Sequence, residues 1–339
     1  MSDRHCLIIA EVAQAHDGSL GTAHSYIDLA AAAGAGAVKF QTHIADAESH
    51  PSEPWRVKFS VQDESRYEYW KRMEFTRSQW RELHTHAHER GLEFISSPFS
   101  VEAVEMLTET GIDRWKIASG ELTNIPMLER IAEDGRPVIL SSGMSPLAEL
   151  DNAVNLFRQR GSHVTILQCT TQYPCPPERT GLNLIAQFRD RYQLPVGLSD
   201  HSGEIFAGLA AATLGIDVLE VHVVFSRDCF GPDVSSSLTR EQLTMLVDGI
   251  RFIETAMKNP VDKDQLASEH TEVRRLFTRS IVARYDLPEG HRLTGDDVIM
   301  KKPGTGLNPT RLPSLLGQRL RHFVAANSIL SIDDFEGAK

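Results

Sequence analysis

Eight short runs rich in Val, Ile and Leu recur along this chain, and nearly every one stops on a polar or ionisable residue. The runs are Leu7–Ala10, Ala37–Gln41, Leu92–Ser96, Trp115–Ala118, Val138–Ser141, Val164–Cys169, Val196–Ser199 and Val218–His222. Amphipathic stretches of helical period lie between them, at 23–33, 78–90, 101–110, 146–160 and 239–256. Strands that alternate with helices make parallel sheets. Eight such units are the number in a (β/α)8 TIM barrel. No glycine-rich dinucleotide turn follows the first run, which argues against an open doubly wound sheet.

A barrel of this kind carries its chemistry at the carboxyl ends of its strands. Those ends read Glu11, Lys39 with Gln41, Ser97 with Pro98, Lys116, Ser141 with Ser142, Thr170 with Thr171, Asp200 with His201, and His222. Lys39 and Lys116 interrupt apolar strands. A buried ammonium is costly unless it meets an anion, so the pair points to a phosphate or carboxylate ligand, or else to internal ion pairs with Glu11 or Glu121. Ser119, Ser142, Thr171 and Ser199 offer further donors to the same anion. His201 and His222 sit on neighbouring strands, whose axes lie about 4.8 Å apart, within reach of one divalent ion. Asp233, in the loop Phe230-Gly-Pro-Asp-Val, is the expected third oxygen donor. Asp200 and Glu220 flank the histidines, and alternation is expected to turn both partly away from the mouth. His84, His86 and His88 read as the solvated face of a helix. Cys175 has no evident histidine partner and is set aside as a nucleophile.

The length of 339 residues suits a barrel of roughly 250 residues with a small module added. The strand rhythm fails after Met257, which sets the expected division at 1–258 for the barrel, 259–278 for a linker and 279–339 for a β-rich module. That module holds 9 Lys and Arg against 7 Asp and Glu, leaving 26 against 39 upstream. The connection from Thr42 to Phe75 is long and carries Trp55, Tyr67, Tyr69 and Trp70, as lids and binding loops do. A net charge of −11 argues against nucleic acid as a partner. No apolar run reaches the roughly 18 residues of a membrane span, and the first residues do not read as a signal peptide. The four cysteines, Cys6, Cys169, Cys175 and Cys229, are scattered. Free thiols in a reducing cytoplasm are expected.

Several motifs stand in order along the chain: Ile9-Ala-Glu-Val, His16-Asp-Gly-Ser, Val38-Lys-Phe-Gln-Thr-His, Ile95-Ser-Ser-Pro-Phe-Ser, Lys116-Ile-Ala-Ser-Gly-Glu, Leu140-Ser-Ser-Gly-Met and Gly197-Leu-Ser-Asp-His. The Gly231-Pro-Asp loop and Lys302-Pro-Gly-Thr-Gly follow. In these the chain closely resembles the sialic acid (N-acetylneuraminate) synthase family over nearly its whole length. Its terminal module resembles that family's antifreeze-like (SAF) domain. The resemblance implies a transferase that condenses phosphoenolpyruvate with an open-chain 2-acetamido sugar, N-acetylmannosamine or a diacetamido hexose. The products are a nine-carbon 3-deoxy-2-keto acid and phosphate. It further implies Mn2+, Mg2+ or Co2+ on His201 and His222, and a homodimer in which each SAF domain closes over the partner's barrel.

Carried over by position, the resemblance gives phosphoenolpyruvate to Lys39, Ser97, Lys116, Ser119, Ser142, Thr171 and Ser199. It turns Asp17, Gln41, Tyr173, Asp233 and Lys302 toward the sugar or the metal, and makes Glu121, Lys116 and Asp17 catalytic. The sequence departs from the family pattern at three places. Asn-His-Glu-Gly is here Ala15-His16-Asp17-Gly18, the Asn before the Tyr-Pro motif is Thr171, and Arg-Pro-Gly is Lys302-Pro303-Gly304. Asp17 and Lys302 fall on the expected sugar side. Another phosphoenolpyruvate–aldose synthase, or a non-catalytic sugar-binding homologue, stand as alternatives.

Overall fold

The computed structural model describes residues 5–55 and 57–337. Eight parallel strands follow one another around a closed sheet: β1 (Leu7–Ala13), β2 (Ala37–Thr42), β3 (Glu93–Pro98), β4 (Arg114–Ile117), β5 (Val138–Ser141), β6 (Val164–Cys169), β7 (Val196–Asp200) and β8 (Val218–Val223). Closure comes from β1 pairing with β8, Leu7 opposite Val218 through to Glu11 opposite His222. A two-residue strand, β9 (Ser237–Leu238), extends the sheet beside His222. The (β/α)8 barrel expected from the eight runs is the fold found.

Period-two alternation splits each strand between two apolar layers. Ile8, Val38, Phe94, Trp115, Leu140, Ile166 and Leu198 join the helices in an outer core. Ile9, Ala37, Ile95, Ile139, Leu167 and Val218 form a separate cluster that fills the barrel itself. Gly197 is required in β7 because a Cβ there would lie 2.0 Å from the Val218 carbonyl oxygen.

Helices are set by ordinary start signals. Thr76 and Thr239 each close a capping box, with Gln79 and Gln242, at the head of the helices Arg77–Glu89 and Arg240–Lys258. Among the helices with no reading in the sequence analysis are Ile125–Asp134, Asn183–Tyr192 and Phe206–Thr213. The last, Phe-Ala-Gly-Leu-Ala-Ala-Ala-Thr, is small and apolar nearly all round, so it carries no period to read. The long connection after β2 holds two short helices, Ala45–Glu48 and Arg66–Met73, the second with a Ser65–Glu68 capping box. Its aromatic residues pack on one another, Phe59 edge-on to Tyr69 at 5.0 Å and within 5.8 Å of Phe230 in the loop after β8.

Contacts divide the chain into two compact units, Met1–Asn259 and Pro260–Lys339. The second unit begins with two short helices, Lys263–Glu269 and Thr271–Phe277, in the stretch read as a linker. It continues with an antiparallel pair, β10 (Ser280–Ala283) and β11 (Val298–Lys301). Ile281, Leu287, Leu293, Val298, Leu320 and Phe335 belong to its own core. A cavity of about 860 Å3 lies at the amino-terminal pole of the barrel, lined by Cys6, Gly36, Arg114, Val164, Asp217 and Glu254. That pole is opposite the one where the polar strand ends gather.

Candidate active site

Above the apolar barrel cluster the inward positions turn ionic. Glu11, Lys39, Lys116 and Glu220 are each at most 4% exposed. Lys39 Nζ lies 2.7 Å from Glu11 Oε1 and 3.8 Å from Glu220 Oε2, and Lys116 Nζ lies 3.3 Å from Glu220 Oε1. Two ammonium groups and two carboxylates therefore share one closed layer. The internal pairing raised in the sequence analysis holds for Lys39 with Glu11. For Lys116 the partner is Glu220 and not Glu121. The expectation that Glu220 turns away from the mouth is corrected too. It is two residues from both Val218 and His222, so alternation aims all three inward. Asp200, one residue from His201, does face elsewhere and caps the following turn through Ser202.

Burial alone would push Glu220 up, but the Lys116 and Lys39 ammonium groups outweigh it and hold it at about 2. Burial likewise opposes the charge of Lys39, yet Glu11 and Glu220 raise it above its ordinary value. Several buried polar atoms of this region have no hydrogen-bond partner: Glu11 Oε2, Glu220 Oε2, Ser97 Oγ and Ser141 Oγ. A buried polar atom left unpaired is costly, and a polar ligand or water reaching these atoms would remove that cost.

Past that layer stand the two histidines, ring centroids 5.3 Å apart. His201 Nδ1 donates to the Thr170 carbonyl at 2.8 Å, which leaves the Nε2 lone pair toward Tyr173 Oη at 3.2 Å and Ser199 Oγ at 3.4 Å. Burial, and then the neighbouring His222, hold His201 down at about 3, so its imidazole is neutral. Asp233 Oδ2 lies 3.9 Å from His222 Nδ1. Two imidazoles, one of them oriented and neutral, with a carboxylate close by are a donor set that fits a divalent ion. Tyr173 stacks on His201 at 4.1 Å.

The remaining expected residues divide by position. Ser119 Oγ and Thr171 Oγ1 approach to 3.4 Å, with Gly143 between them. Its φ is +38°, and a Cβ there would lie 2.0 Å from Ser119 Cβ and 2.9 Å from Thr171 Oγ1. Ser199 donates to Glu220 at 3.0 Å. Ser142 is turned toward β6, bonding Gln168 and the Cys169 N–H, while its neighbour Ser141 takes the inward position opposite Leu167. Gln41 joins Glu11 at 2.8 Å and Gln14 at 2.6 Å. Asp17 lies half exposed, held by Arg72 at 2.7 Å. Glu121 ends the turn after β4, where burial pushes its carboxyl above the ordinary range and Asn124 donates to it at 2.9 Å. Lys302 lies in the second unit with its ammonium 5.0 Å from the Phe277 ring centroid.

Sequence reasoning passed over His43 and Arg72, and read Tyr69 only as one of the aromatic residues of the long connection. His43 is clamped between Trp70 at 4.0 Å and Phe99 at 4.5 Å, and its Nδ1 meets Glu48 at 2.6 Å. Tyr69 and Arg72 lie on the helix Arg66–Met73, in the connection after β2. The Tyr69 hydroxyl is pushed up by burial and then by Asp233, and Arg72 ties Asp17 to Asp63. Among the described residues, the one group of three whose ligand atoms all lie within 4.8 Å of one another is not here. It is His84, His88 and Asp113, on the outside of the barrel.

A closed barrel whose mouth collects an ionic layer, a serine and threonine pocket and a histidine pair is that of an enzyme acting on a polar, anionic substrate. The sequence model of the NeuB family matches residues 26–262 and that of the SAF domain residues 278–336. The chain belongs to the NeuB family, a family of synthases. It is 35% identical to the N,N'-diacetyllegionaminic acid synthase of Campylobacter jejuni, over 92% of this chain and 95% of that one. It is 32% identical to the human N-acetylneuraminate-9-phosphate synthase, over 93% and 88%. The crystal structure of the N-acetylneuraminic acid synthetase of Leptospira borgpetersenii superposes with a TM-score of 0.70 at 30% identity, covering 80% of this chain and 93% of that one. No helix among the described residues is long and apolar enough to cross a membrane.

Proposed function

We propose that this chain condenses phosphoenolpyruvate with the open-chain form of a 2-acetamido or diacetamido hexose, giving a nonulosonic acid and inorganic phosphate. The observation that carries the reading is the mouth itself, where the paired lysines and the orphaned serine hydroxyls stand at the strand ends with the oriented His201 past them. Each ammonium has three donors, so Lys39 and Lys116 keep N–H groups for the substrate while paired. Ser97, Ser119, Thr171 and Ser199 complete the grip on phosphoenolpyruvate, and Ser142 supports it from the strand edge. His201 and His222 hold a divalent ion, for which Mn2+ is the first candidate. That ion supplies Lewis acidity to the sugar carbonyl when bound.

The chain's own groups do the rest. The C3 methylene of phosphoenolpyruvate attacks the aldehyde carbon, whose oxygen takes up a proton as it becomes a hydroxyl, and C2, which bears the phosphate, is left cationic. Glu121, its carboxyl raised by burial, takes the proton of the water that adds at C2. Phosphate then leaves with cleavage of its carbon–oxygen bond. Gln41, Tyr173 and Asp233 face the sugar. Asp17 orients it from the lid through Arg72, and Lys302 reaches the N-acyl group from the partner in a homodimer. Supply of phosphoenolpyruvate and the four free thiols favour the cytoplasm.

Relatives whose names give different sugar acids leave the acceptor to experiment. The chain is incubated with phosphoenolpyruvate, Mn2+ and a panel of 2-acetamido and diacetamido hexoses, and the products are weighed by mass spectrometry. A product equal to one sugar plus the pyruvate unit, with phosphate released, is expected. Phosphate release with no such product, or none from any hexose, overturns the acceptor class.

A further inference from the structure

His84 and His88 lie far from the mouth in the fold, on the helix Arg77–Glu89. Four residues apart, they share one helix face, with ring centroids 4.1 Å apart. Asp113, in the turn that leads from the helix Val101–Thr110 into β4, meets them. Its Oδ2 lies 2.8 Å from His88 Nε2 and also accepts from the Phe94 N–H at 2.7 Å. The second bond ties the carboxylate to the sheet, so it is held in place before any ligand arrives. His84 Nε2 is shut off from solvent and lacks a hydrogen-bond partner. One ligand atom from each of the three lies within 4.8 Å of the others.

We propose that His84, His88 and Asp113 form a second metal site, for a borderline divalent transition ion of the Zn2+ type, that pins this outer helix to the sheet. The ligand chemistry selects the class of ion. Two imidazoles and one carboxylate suit zinc, nickel or copper, whereas magnesium and calcium prefer oxygen donors throughout. Three protein ligands leave a fourth position for water. Arg136 works against a cation at this place, and the Asp113 charge offsets it. The side chains of His88 and Asp113 are 44% and 31% exposed, which gives an ion a way in. Ligand atoms around a tetrahedral ion stand about 3.4 Å apart, so binding draws the two rings toward Asp113 by side-chain rotation alone.

The site also changes what a metal count means in this protein, since zinc bound outside the barrel would be mistaken for zinc at His201 and His222. The test uses the full chain stripped with a chelator and titrated with Zn2+ by equilibrium dialysis, comparing wild type with Asp113→Asn. Asparagine keeps an acceptor for the Phe94 N–H and removes the ligand's charge. One Zn2+ per chain is expected to bind about tenfold or more weakly in the variant. Identical binding curves overturn the site. A second measurement needs no variant: acylation of His84 and His88 by diethyl pyrocarbonate, located by peptide mass spectrometry, should slow at both residues when Zn2+ is present. Unchanged rates at this pair overturn the proposal whatever happens at His201 and His222.

Discussion

Replacing Glu220 by glutamine keeps the shape of the side chain and removes one charge from the closed layer of Glu11, Lys39, Lys116 and Glu220. Glu220 stands 3.3 Å from Lys116 and 3.8 Å from Lys39. At an effective dielectric of 20, those two attractions sum to about 9 kcal/mol gross. Most of it is offset by the cost of burying the carboxylate, which the variant no longer bears. What remains is the cost of leaving an ammonium without its counter-charge, about 3–5 kcal/mol when one partner of a buried pair is removed. Lys116 takes that loss, since Glu220 is its one carboxylate partner among the described residues. At about 2–4 °C per kcal/mol for a unit of this size, Glu220→Gln should lower the barrel's melting temperature by about 6–20 °C. Circular dichroism during heating of the whole chain at pH 7 measures it. The pH dependence fixes the sign. Glu220 is held at about 2 in the fold against about 4.3 for a free glutamate. Its contribution is thus complete above about 4.3 and is lost as pH falls toward 2. The gap between wild type and variant should therefore narrow on acidification. A loss under about 3 °C at pH 7, or a gap that widens in acid, would refute the picture of a dry ionic layer.

Three further perturbations probe the mouth. Gly143→Ala places a Cβ 2.0 Å from Ser119 Cβ at a φ of +38°; it should raise KM for phosphoenolpyruvate by tenfold or more, about 1.4 kcal/mol of binding, and an unchanged KM would remove this turn from the anion pocket. Glu121→Gln should cut kcat by about 10²–10⁴-fold. In wild type the acid limb of kcat should lie above the ordinary carboxylate range, because burial raises Glu121, and the variant should lose that limb; a limb that persists assigns the base elsewhere. His201→Ala should abolish both turnover and Mn2+ binding at the mouth while the melting curve stays cooperative, and full activity would sink the metal assignment.

The barrel was legible in the sequence because its signal is local and repeated. Val138–Ser141 and Val164–Cys169 are read with their true ends, since uninterrupted apolar runs bounded by turns have few alternatives. The helix Phe206–Thr213 was not, because side chains apolar on every face erase the period. His201 and His222 could be paired in advance since their strands are sequence neighbours and parallel. The partner of Lys116 could not, because β4 and β8 stand far apart around the barrel and meet only across its interior. Glu220 was legible in principle. Its two-residue spacing to His222 carried the answer, and weighing it as a neighbour of the histidines, instead of as a member of their face, hid it. Residues of the lid such as Arg72 depend on how a long connection folds back, which no local pattern records.

The ionic layer also bears on how an acidic chain handles an anionic substrate. Two lysines inside apolar strands suggest a standing positive field, yet Glu11 and Glu220 cancel them, and the chain as a whole carries −11. Attraction at long range is therefore not what this mouth offers. It offers fixed donors instead. Lys39 is kept charged despite burial because Glu11 and Glu220 are beside it. Without those carboxylates a dry ammonium would tend to lose its proton, and with it the hydrogen bonds it can give. The two glutamates thus serve the same end as the lysines: they hold cationic N–H donors in place, and donors aimed in advance stabilise developing charge most. On the proposed function, selectivity for the substrate rests on geometry at Ser97, Ser119 and Thr171 more than on net charge, and the Cβ that Gly143→Ala places against Ser119 tests that geometry directly.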